Sequence, residues 1–208
     1  MKMSKIALAV GAAIIGLSSV AQAELSANIG VTSNYIWRGT TQTKDAAAVS
    51  GGVDYAHESG AYAGTWASNI NWGTGSMDDN GVELDFYGGF GGEAAGVGYD
   101  VGLIYYAYPQ HNNSDFSELY ASVSYSMITV CAAYTISGEN DGGLFDDGDY
   151  YYYGSASFDL PEDFSLGGTI GSYTFENSSA ADYIHYQVDL GKSAGDFGDF
   201  TLTFSDTD

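Results

Sequence analysis

Apolar residues alternate with small or polar residues along most of the chain, in segments of about ten residues separated by glycine-rich or polar breaks. The alternation is clear at 25–31, 82–87 and 200–204. Successive side chains of a β-strand point to opposite faces, so each segment has one apolar and one polar face. The pattern therefore predicts an all-β chain of about eleven strands, near 25–37, 48–57, 61–72, 82–91, 97–107, 117–126, 128–137, 150–159, 165–175, 183–190 and 198–205.

The breaks between these strands alternate between short and long. The short breaks are at 58–60, 92–96, 126–127, 160–164 and 191–197, and the long ones are at 38–47, 73–81, 108–116, 138–149 and 176–182. Outer-membrane barrels have short periplasmic turns, longer extracellular loops and strands of about 9–11 residues. The alternation predicts an antiparallel up-and-down transmembrane β-barrel.

A soluble β-sandwich or a periplasmic barrel also has short alternating strands. The architectures differ in which face is apolar, because a membrane barrel carries its large apolar residues outside. Aromatic residues near the strand ends favour the membrane barrel, since they are typical of the girdles at membrane interfaces. These residues are Tyr35, Trp37, Tyr62, Trp72, Tyr105, Tyr108, Tyr150, Tyr151, Tyr152, Tyr153, Tyr173 and Phe175.

The first residues have the organisation of a secretory signal peptide. Lys2 and Lys5 precede an apolar run at 6–17, and 21–23 form an A-x-A cleavage site. We therefore assign 1–23 to a cleaved signal peptide and 24–208 to one barrel domain. The predicted location is the outer membrane of a Gram-negative bacterium.

The number of strands predicts an open seam. Single-chain bacterial barrels have an even number of strands, with both chain ends in the periplasm. Counted from a periplasmic start, an eleventh strand ends outside the cell. We therefore expect about twelve strands in the intact protein, with the closing strand absent here. The first and last strands should then remain unpaired with each other.

Composition narrows the classes of partner. The 208 residues include Gly 29, Tyr 18, Phe 10 and only Pro 2, which favours strands over helices and argues against disorder. After residue 23 the chain has 27 acidic residues against Arg38, Lys44 and Lys192, so nucleic acid is excluded as a partner. The single Cys131 excludes an intrachain disulfide framework. Nothing in the sequence specifies an oligomeric state.

Two sequence features that resemble catalytic or metal sites lack the required context. The G-x-S-x-G match at 191–195 lies in a turn between two strands, whereas a nucleophile elbow needs a helix behind it. His57, His111 and His185 lack the spacing that brings metal ligands or a catalytic pair together. The sequence therefore predicts neither an enzyme nor a cofactor.

The polar faces of the strands supply candidate pore-lining residues. Rings of carboxylates in a narrow pore attract cations, while tyrosines reduce the bore. We predict a porin-like channel for passive diffusion of small solutes, with an acidic lumen that favours cations, in contact with outer-membrane lipid. The alternative is a closed, non-conducting barrel with a structural or surface-interaction role. The candidates are Asp54, Glu83, Asp85, Tyr87, Asp100, Tyr106, Glu118, Tyr120 and Asp189.

Two further sets of charged residues lie in the predicted loops. Arg38 ends the first strand among many carboxylates, so we expect it to be paired with one of them and to act as a clamp at the barrel mouth. Acidic clusters are typical of solvated loop surfaces, and oxygen-rich loops also hold Ca²⁺ or Mg²⁺. The weak candidates for such a metal site are Asp78, Asp79, Asp146, Asp147 and Asp149.

Five stretches in chain order resemble the TorF porin family, small proteobacterial outer-membrane proteins. The stretches are 33–39, 51–55, 57–69, 83–89 and 99–109. They cover the first half densely, while the second half is matched mainly by its alternation. The resemblance implies a barrel of about twelve strands and a channel role. It implies no catalytic residues.

Overall fold

The computed structural model describes residues 24–208, so the signal peptide expected at 1–23 lies outside the described residues. The strands are β1 Glu24–Thr32, β2 Ile36–Trp37, β3 Thr40–Thr41, β4 Ala48–Ala56, β5 Ala61–Asn71, β6 Asn80–Ala94, β7 Val97–Ala107, β8 Phe116–Tyr125, β9 Ile128–Gly138, β10 Tyr150–Leu160, β11 Phe164–Thr174, β12 Tyr183–Ser193 and β13 Asp199–Thr207. Two single-turn 3₁₀ helices, Ser179–Ala181 and Gly195–Phe197, lie in connections. No helix within 24–208 has the length and apolarity needed to cross a membrane.

Eleven strands form one antiparallel sheet in the order β1-β4-β5-β6-β7-β8-β9-β10-β11-β12-β13. Each strand pairs with its neighbours along the chain, which confirms the predicted all-β, up-and-down architecture. β1 and β13 are the two edges of the sheet and do not pair with each other. The predicted seam between the first and last strands is therefore confirmed.

The sheet curls around a short hairpin formed by β2 and β3. Atoms of this hairpin and of Tyr35 beside it contact β6, β8, β10, β11 and β12, which are spread across the width of the sheet. We call the face turned toward the hairpin the inner face. The hairpin corrects the expected first strand, because β1 ends at Thr32 rather than at 37. The Thr32 hydroxyl donates to the Asn34 carbonyl, and the chain then turns inward.

The two faces of the sheet have opposite chemistry. Large apolar side chains on the outer face are exposed, for example Val101, Leu119, Val130 and Ile170 at 46, 48, 58 and 53%. The inner face buries carboxylates, with Glu83 at 2% and Glu118 at 0%. A protein folded in water has the reverse arrangement.

The girdle interpretation is wrong for several aromatic residues, because strand alternation or, for Tyr35 and Trp37, the inward turn of the chain buries them. Tyr105, Tyr150 and Tyr152 lie outside and are exposed, as expected. Those that are instead buried are Tyr35, Trp37, Tyr62, Tyr108, Tyr151, Tyr173 and Phe175. All of them except Tyr62 belong to one buried aromatic cluster around the hairpin.

Candidate functional site

The inner face has two zones of different composition. The end with the long connections, at 33–47, 72–79, 108–115, 139–149 and 175–182, is filled by aromatic and charged side chains; we call it the loop-end zone. Toward the short connections, strands β10 and β11 carry small inward residues such as Ser155, Ser165, Gly167 and Thr169. We call this half the turn-end zone.

The centre of the loop-end zone is a buried ion pair. The two guanidinium nitrogens of Arg38 donate to the two carboxylate oxygens of Glu118, at 2.8 and 2.6 Å. The hydroxyls of Tyr106 and Tyr173 donate to the same carboxylate, at 3.3 and 3.2 Å. Four donors from β7, β11 and the hairpin therefore satisfy Glu118. Bidentate, charge-assisted pairs of this kind are the strongest hydrogen bonds in proteins.

Aromatic rings hold the guanidinium of Arg38 in place. Its central carbon lies 4.3 Å from the ring centroids of both Trp37 and Tyr151, and 5.1 Å from that of Tyr173. Cation–π contacts are most favourable when water is excluded, as it is here. Arg38 is thus paired with a carboxylate, as the sequence predicted, and the pair is buried in the loop-end zone. Its role as a clamp at the barrel mouth stays a prediction.

Local backbone features position both members of this pair. Arg38 and Gly39 form the hairpin turn with φ of 48° and 87°. A Cβ on Gly39 would lie 2.9 Å from His185 Cγ and from Thr207 Cγ2, so only glycine lets the turn approach the sheet. On the other side, a register shift between Ser117 and Glu118 interrupts the β8–β9 ladder. Such bulges redirect side chains near functional sites.

The loop-end zone contains two further carboxylates, Glu83 and Asp85 of β6. The Tyr35 hydroxyl donates to Glu83 Oε1 at 3.0 Å. Burial, and then the Glu83 charge, hold the pKa of this hydroxyl well above its usual range, so it stays protonated and donates. Among residues 24–208, Asp85 Oδ1 is buried and has no hydrogen-bond partner.

The acids of the turn-end zone are hydrogen-bonded to neutral donors. Asp54 accepts from the Tyr87 hydroxyl, and Asp100 accepts from the Tyr62 hydroxyl at 2.8 Å. Tyr120 is bonded to Tyr62 in turn. Asp189 accepts from the Gln187 amide at 2.9 Å and the Thr203 hydroxyl at 2.6 Å. These contacts orient the carboxylates without neutralising them.

All nine predicted pore-lining residues therefore lie on the inner face, but in two groups. Glu83, Asp85, Tyr106 and Glu118 surround the hairpin, whereas Asp54, Asp100 and Asp189 lie beyond it, with Tyr87 and Tyr120 between the groups. Their role in conduction stays a prediction.

The acidic loop residues make contacts within the loops rather than with one another as a cluster. Asp78 accepts from Asn71 Nδ2 at 3.0 Å and from Lys44 Nζ at 3.4 Å, which lowers its pKa, and Asp79 lies 3.2 Å from His111. Asp149 accepts three backbone N–H groups, from Phe145, Asp146 and Glu176.

The carboxylate of Asp146 accepts the backbone N–H groups of Gly142 and Asp147, which hold its pKa below the usual range. The Tyr134 hydroxyl reaches Asp147 at 3.5 Å. Within 24–208, no group of three or more His, Cys, Asp or Glu side chains is arranged to hold a metal ion. The metal interpretation of these loops stays a prediction without a supporting geometry.

Sequence reasoning missed the inward role of Tyr151 and Tyr173, although the alternation contained a signal for it. Tyr151 and Ser155 are an even number of positions apart on β10, so their side chains point to the same face, and the same holds for Tyr173 and Thr169 on β11. The polar members of each strand therefore identify the face of its aromatic members. No comparable signal marks Tyr35 and Trp37, because the chain leaves the sheet before them.

The comparisons with known proteins give a family but no activity. Residues 18–208 match the model of a family described as "Bacterial protein of unknown function (Gcw_chp)". No curated protein and no solved structure matches the chain.

Proposed function

We propose that this chain, which belongs to the Gcw_chp family of bacterial proteins of unknown function, forms an outer-membrane barrel with a narrow passive channel for small solutes. The observation that carries this proposal is the reversed distribution of side chains, with large apolar residues exposed on the outer face and carboxylates buried on the inner face. The expected signal peptide supports export, and the partners of the outer face would be outer-membrane lipids.

The exposed apolar surface supports the membrane location. Soluble monomers rarely expose contiguous apolar patches of more than a few hundred Å². Here exposed large apolar residues occur on ten of the eleven strands of the sheet, from Leu25 on β1 to Phe204 on β13, with β5 as the exception. Tyr105, Tyr150 and Tyr152 lie outside near the loop ends of their strands, where an aromatic girdle would meet the membrane interface.

The inner carboxylates support a preference for cations. Asp54, Asp100 and Asp189 accept hydrogen bonds from neutral donors, and a narrow space with low-dielectric walls concentrates the field of carboxylates placed there. Such a field attracts cations and repels anions. The stretches that resemble the TorF porin family, including 33–39 around Arg38, support the same channel role.

The hairpin of β2 and β3 would be the constriction of this channel. It crosses the inner space and is fixed to the opposite wall through Arg38 and Glu118. One observation favours the second candidate, a closed barrel with a structural or surface-interaction role: Arg38, Glu118 and Tyr173 are only 6, 0 and 0% exposed. A conducting state would then require the hairpin to move.

Planar-bilayer recordings of the refolded protein under a salt gradient test the channel. The informative variant is Gly39→Ala, because its methyl group would meet His185 and Thr207 and displace the hairpin. Gly75→Ala is the matched control, since Gly75 also has a positive φ, of 61°, but no atom lies within 4 Å of the place that its methyl group would take.

A cation-selective reversal potential, with a larger conductance for Gly39→Ala than for Gly75→Ala, is the expected result. Silence of the native protein and of both variants over many insertions would overturn the channel and leave the closed barrel. An anion-selective conductance would overturn the role assigned to the inner carboxylates.

A further inference from the structure

Glu83 and Asp85 form a buried pair of carboxylates with unusual surroundings. They are separated by one residue on β6, so both point inward with Cα atoms about 7 Å apart. They are 2 and 5% exposed. Among the described residues, only Tyr35 donates a hydrogen bond to the pair, and it donates to Glu83. Asp85 Oδ1 is enclosed and has no partner within residues 24–208.

No basic side chain of the described chain neutralises this pair. Arg38 is committed to Glu118 by both of its terminal nitrogens. Lys44 bonds the Met77 carbonyl and Asp78 in the loops, and Lys192 bonds the Glu162 carbonyl at the opposite end of the sheet. Two uncompensated buried charges cost several kcal/mol each, so the pair either takes up protons or binds a counter-charge.

The histidines do not supply that counter-charge either. His185 is hydrogen-bonded to Tyr151 on the other side of the hairpin, and His57 bonds Ser59 in an exposed turn. His111 Nε2 lies 3.2 Å from Asp79 among the loops. The described residues therefore offer no positive charge to the ionised pair, and protons or a bound cation would have to balance it.

We propose that Glu83 and Asp85 bind one divalent, oxygen-ligated cation of the Ca²⁺ class. The charge of the pair matches one divalent ion, and carboxylate oxygens are the ligands that such ions prefer. The unpartnered Oδ1 of Asp85 is the acceptor that the ion would satisfy.

The surroundings of Asp85 favour an ion without a full hydration shell. Trp66 and Tyr106 stand opposite Asp85 on the two neighbouring strands, and Tyr35 packs edge-to-face on Trp66 with centroids 5.4 Å apart. Asp85 Oδ1 is itself shielded from solvent. The two carboxylates offer about four oxygens, fewer than the six to eight that Ca²⁺ takes, so the bound ion would keep part of its water. Ca²⁺ accepts such irregular sets, whereas Mg²⁺ demands near-ideal octahedral geometry, so Ca²⁺ fits better. The site does not depend on conduction, and an ion bound there would cancel two negative charges of the proposed pore.

Terbium luminescence tests this site, because Tb³⁺ is a probe for Ca²⁺ and the nearby Trp66 can sensitise its emission. Refolded protein is titrated with Tb³⁺ and then with Ca²⁺, and lifetimes in H₂O and D₂O report the water molecules on each bound ion. We expect one water-poor component that Ca²⁺ displaces. In Asp85→Asn its affinity should fall by about tenfold or more, and in Glu83→Gln/Asp85→Asn it should disappear.

The control is Asp78→Asn/Asp79→Asn, which removes the same charge from the exposed loops and should keep the water-poor component. Asp85→Asn is isosteric and breaks no hydrogen bond of Oδ1, so it should fold, as circular dichroism would verify. Persistence of the component in the double variant, or only water-rich binding in the native protein, would overturn the proposal. If the protein failed this test but conducted cations, only the ion site would be refuted, and the channel proposal would stand.

Discussion

Tyr120 lies across Gly102, its register partner on the neighbouring strand, so closely that a Cβ on Gly102 would stand 2.5 Å from the ring carbon bearing the hydroxyl. The same Cβ would lie 2.8 Å from the Tyr62 hydroxyl, which is bonded to Tyr120 and Asp100. The absence of a side chain on Gly102 therefore lets two tyrosines bridge three strands on the inner face.

Gly102→Ala should destabilise the folded sheet by about 1–3 kcal/mol, because the tyrosines cannot move without losing their hydrogen bonds. Urea titration of the protein in lipid vesicles, followed by tryptophan fluorescence, measures this loss. Gly154→Ala on β10 is the control, since a methyl group added there would have no other atom within 4 Å. Equal stability of the two variants would contradict the contact.

Glu118→Gln should destabilise the folded protein more than Gly102→Ala does, because it leaves the Arg38 guanidinium buried without a counter-charge. We expect a loss of about 3–5 kcal/mol in the free energy of unfolding. Arg38→Met/Glu118→Leu, which removes both charges and keeps apolar volume, should recover most of it. The same urea titration measures both, and a double variant no more stable than Glu118→Gln would argue against the buried ion pair.

Replacing Glu83, Asp85 and Asp100 together by Gln, Asn and Asn should reduce the cation-to-anion permeability ratio several-fold, because the pore field falls with its fixed charge. Reversal potentials in a salt gradient, with EDTA present to keep the carboxylates free of Ca²⁺, measure this ratio. Neutralising three exposed acids of the short connections, Glu58, Glu162 and Asp163, removes the same charge outside the strands and should change the ratio less. Unchanged selectivity in the inner triple variant would exclude these residues as the selectivity determinant.

The loop contact of Asp78 should depend on pH in one direction. The hydrogen bond from Asn71 and then that from Lys44 lower the pKa of Asp78. A lowered pKa means that the contact persists at neutral pH and is lost only as the pH falls below the usual aspartate range. Carboxyl ¹³C shifts would follow the titration. Asn71→Ala should raise the midpoint, and an unchanged midpoint would refute the assigned cause.

The alternation of apolar and polar residues predicted most of the fold. It predicted eleven strands, their antiparallel order, the alternation of short and long connections and the unpaired edges, because strand periodicity is a local property of the sequence. It failed at 33–37, where the chain leaves the sheet at Thr32 and turns inward. The hydrogen bonds of Tyr35 to Thr43 and Glu83 fix that path, and tertiary contacts of this kind have no periodic signature.

The candidate site was predictable as a set of residues but not as an arrangement. The alternation of side chains along the strands placed Glu83, Asp85 and Glu118 on the polar face. The large number of carboxylates in the chain predicted that Arg38 would have an acidic partner. Which carboxylate it contacts depends on how the sheet curls around the hairpin. Glu118 is 80 residues away in sequence, so spacing alone could not identify it.

That separation has a consequence for the order of folding. Contacts between distant segments form late, because the intervening chain must first be closed into a loop. The hairpin of β2 and β3 is local and can form early, but its arginine must wait for β8 to find a partner. We therefore expect the later strands to assemble around the hairpin, so that an intermediate stalled before β8 is in place would leave Arg38 without its carboxylate partner.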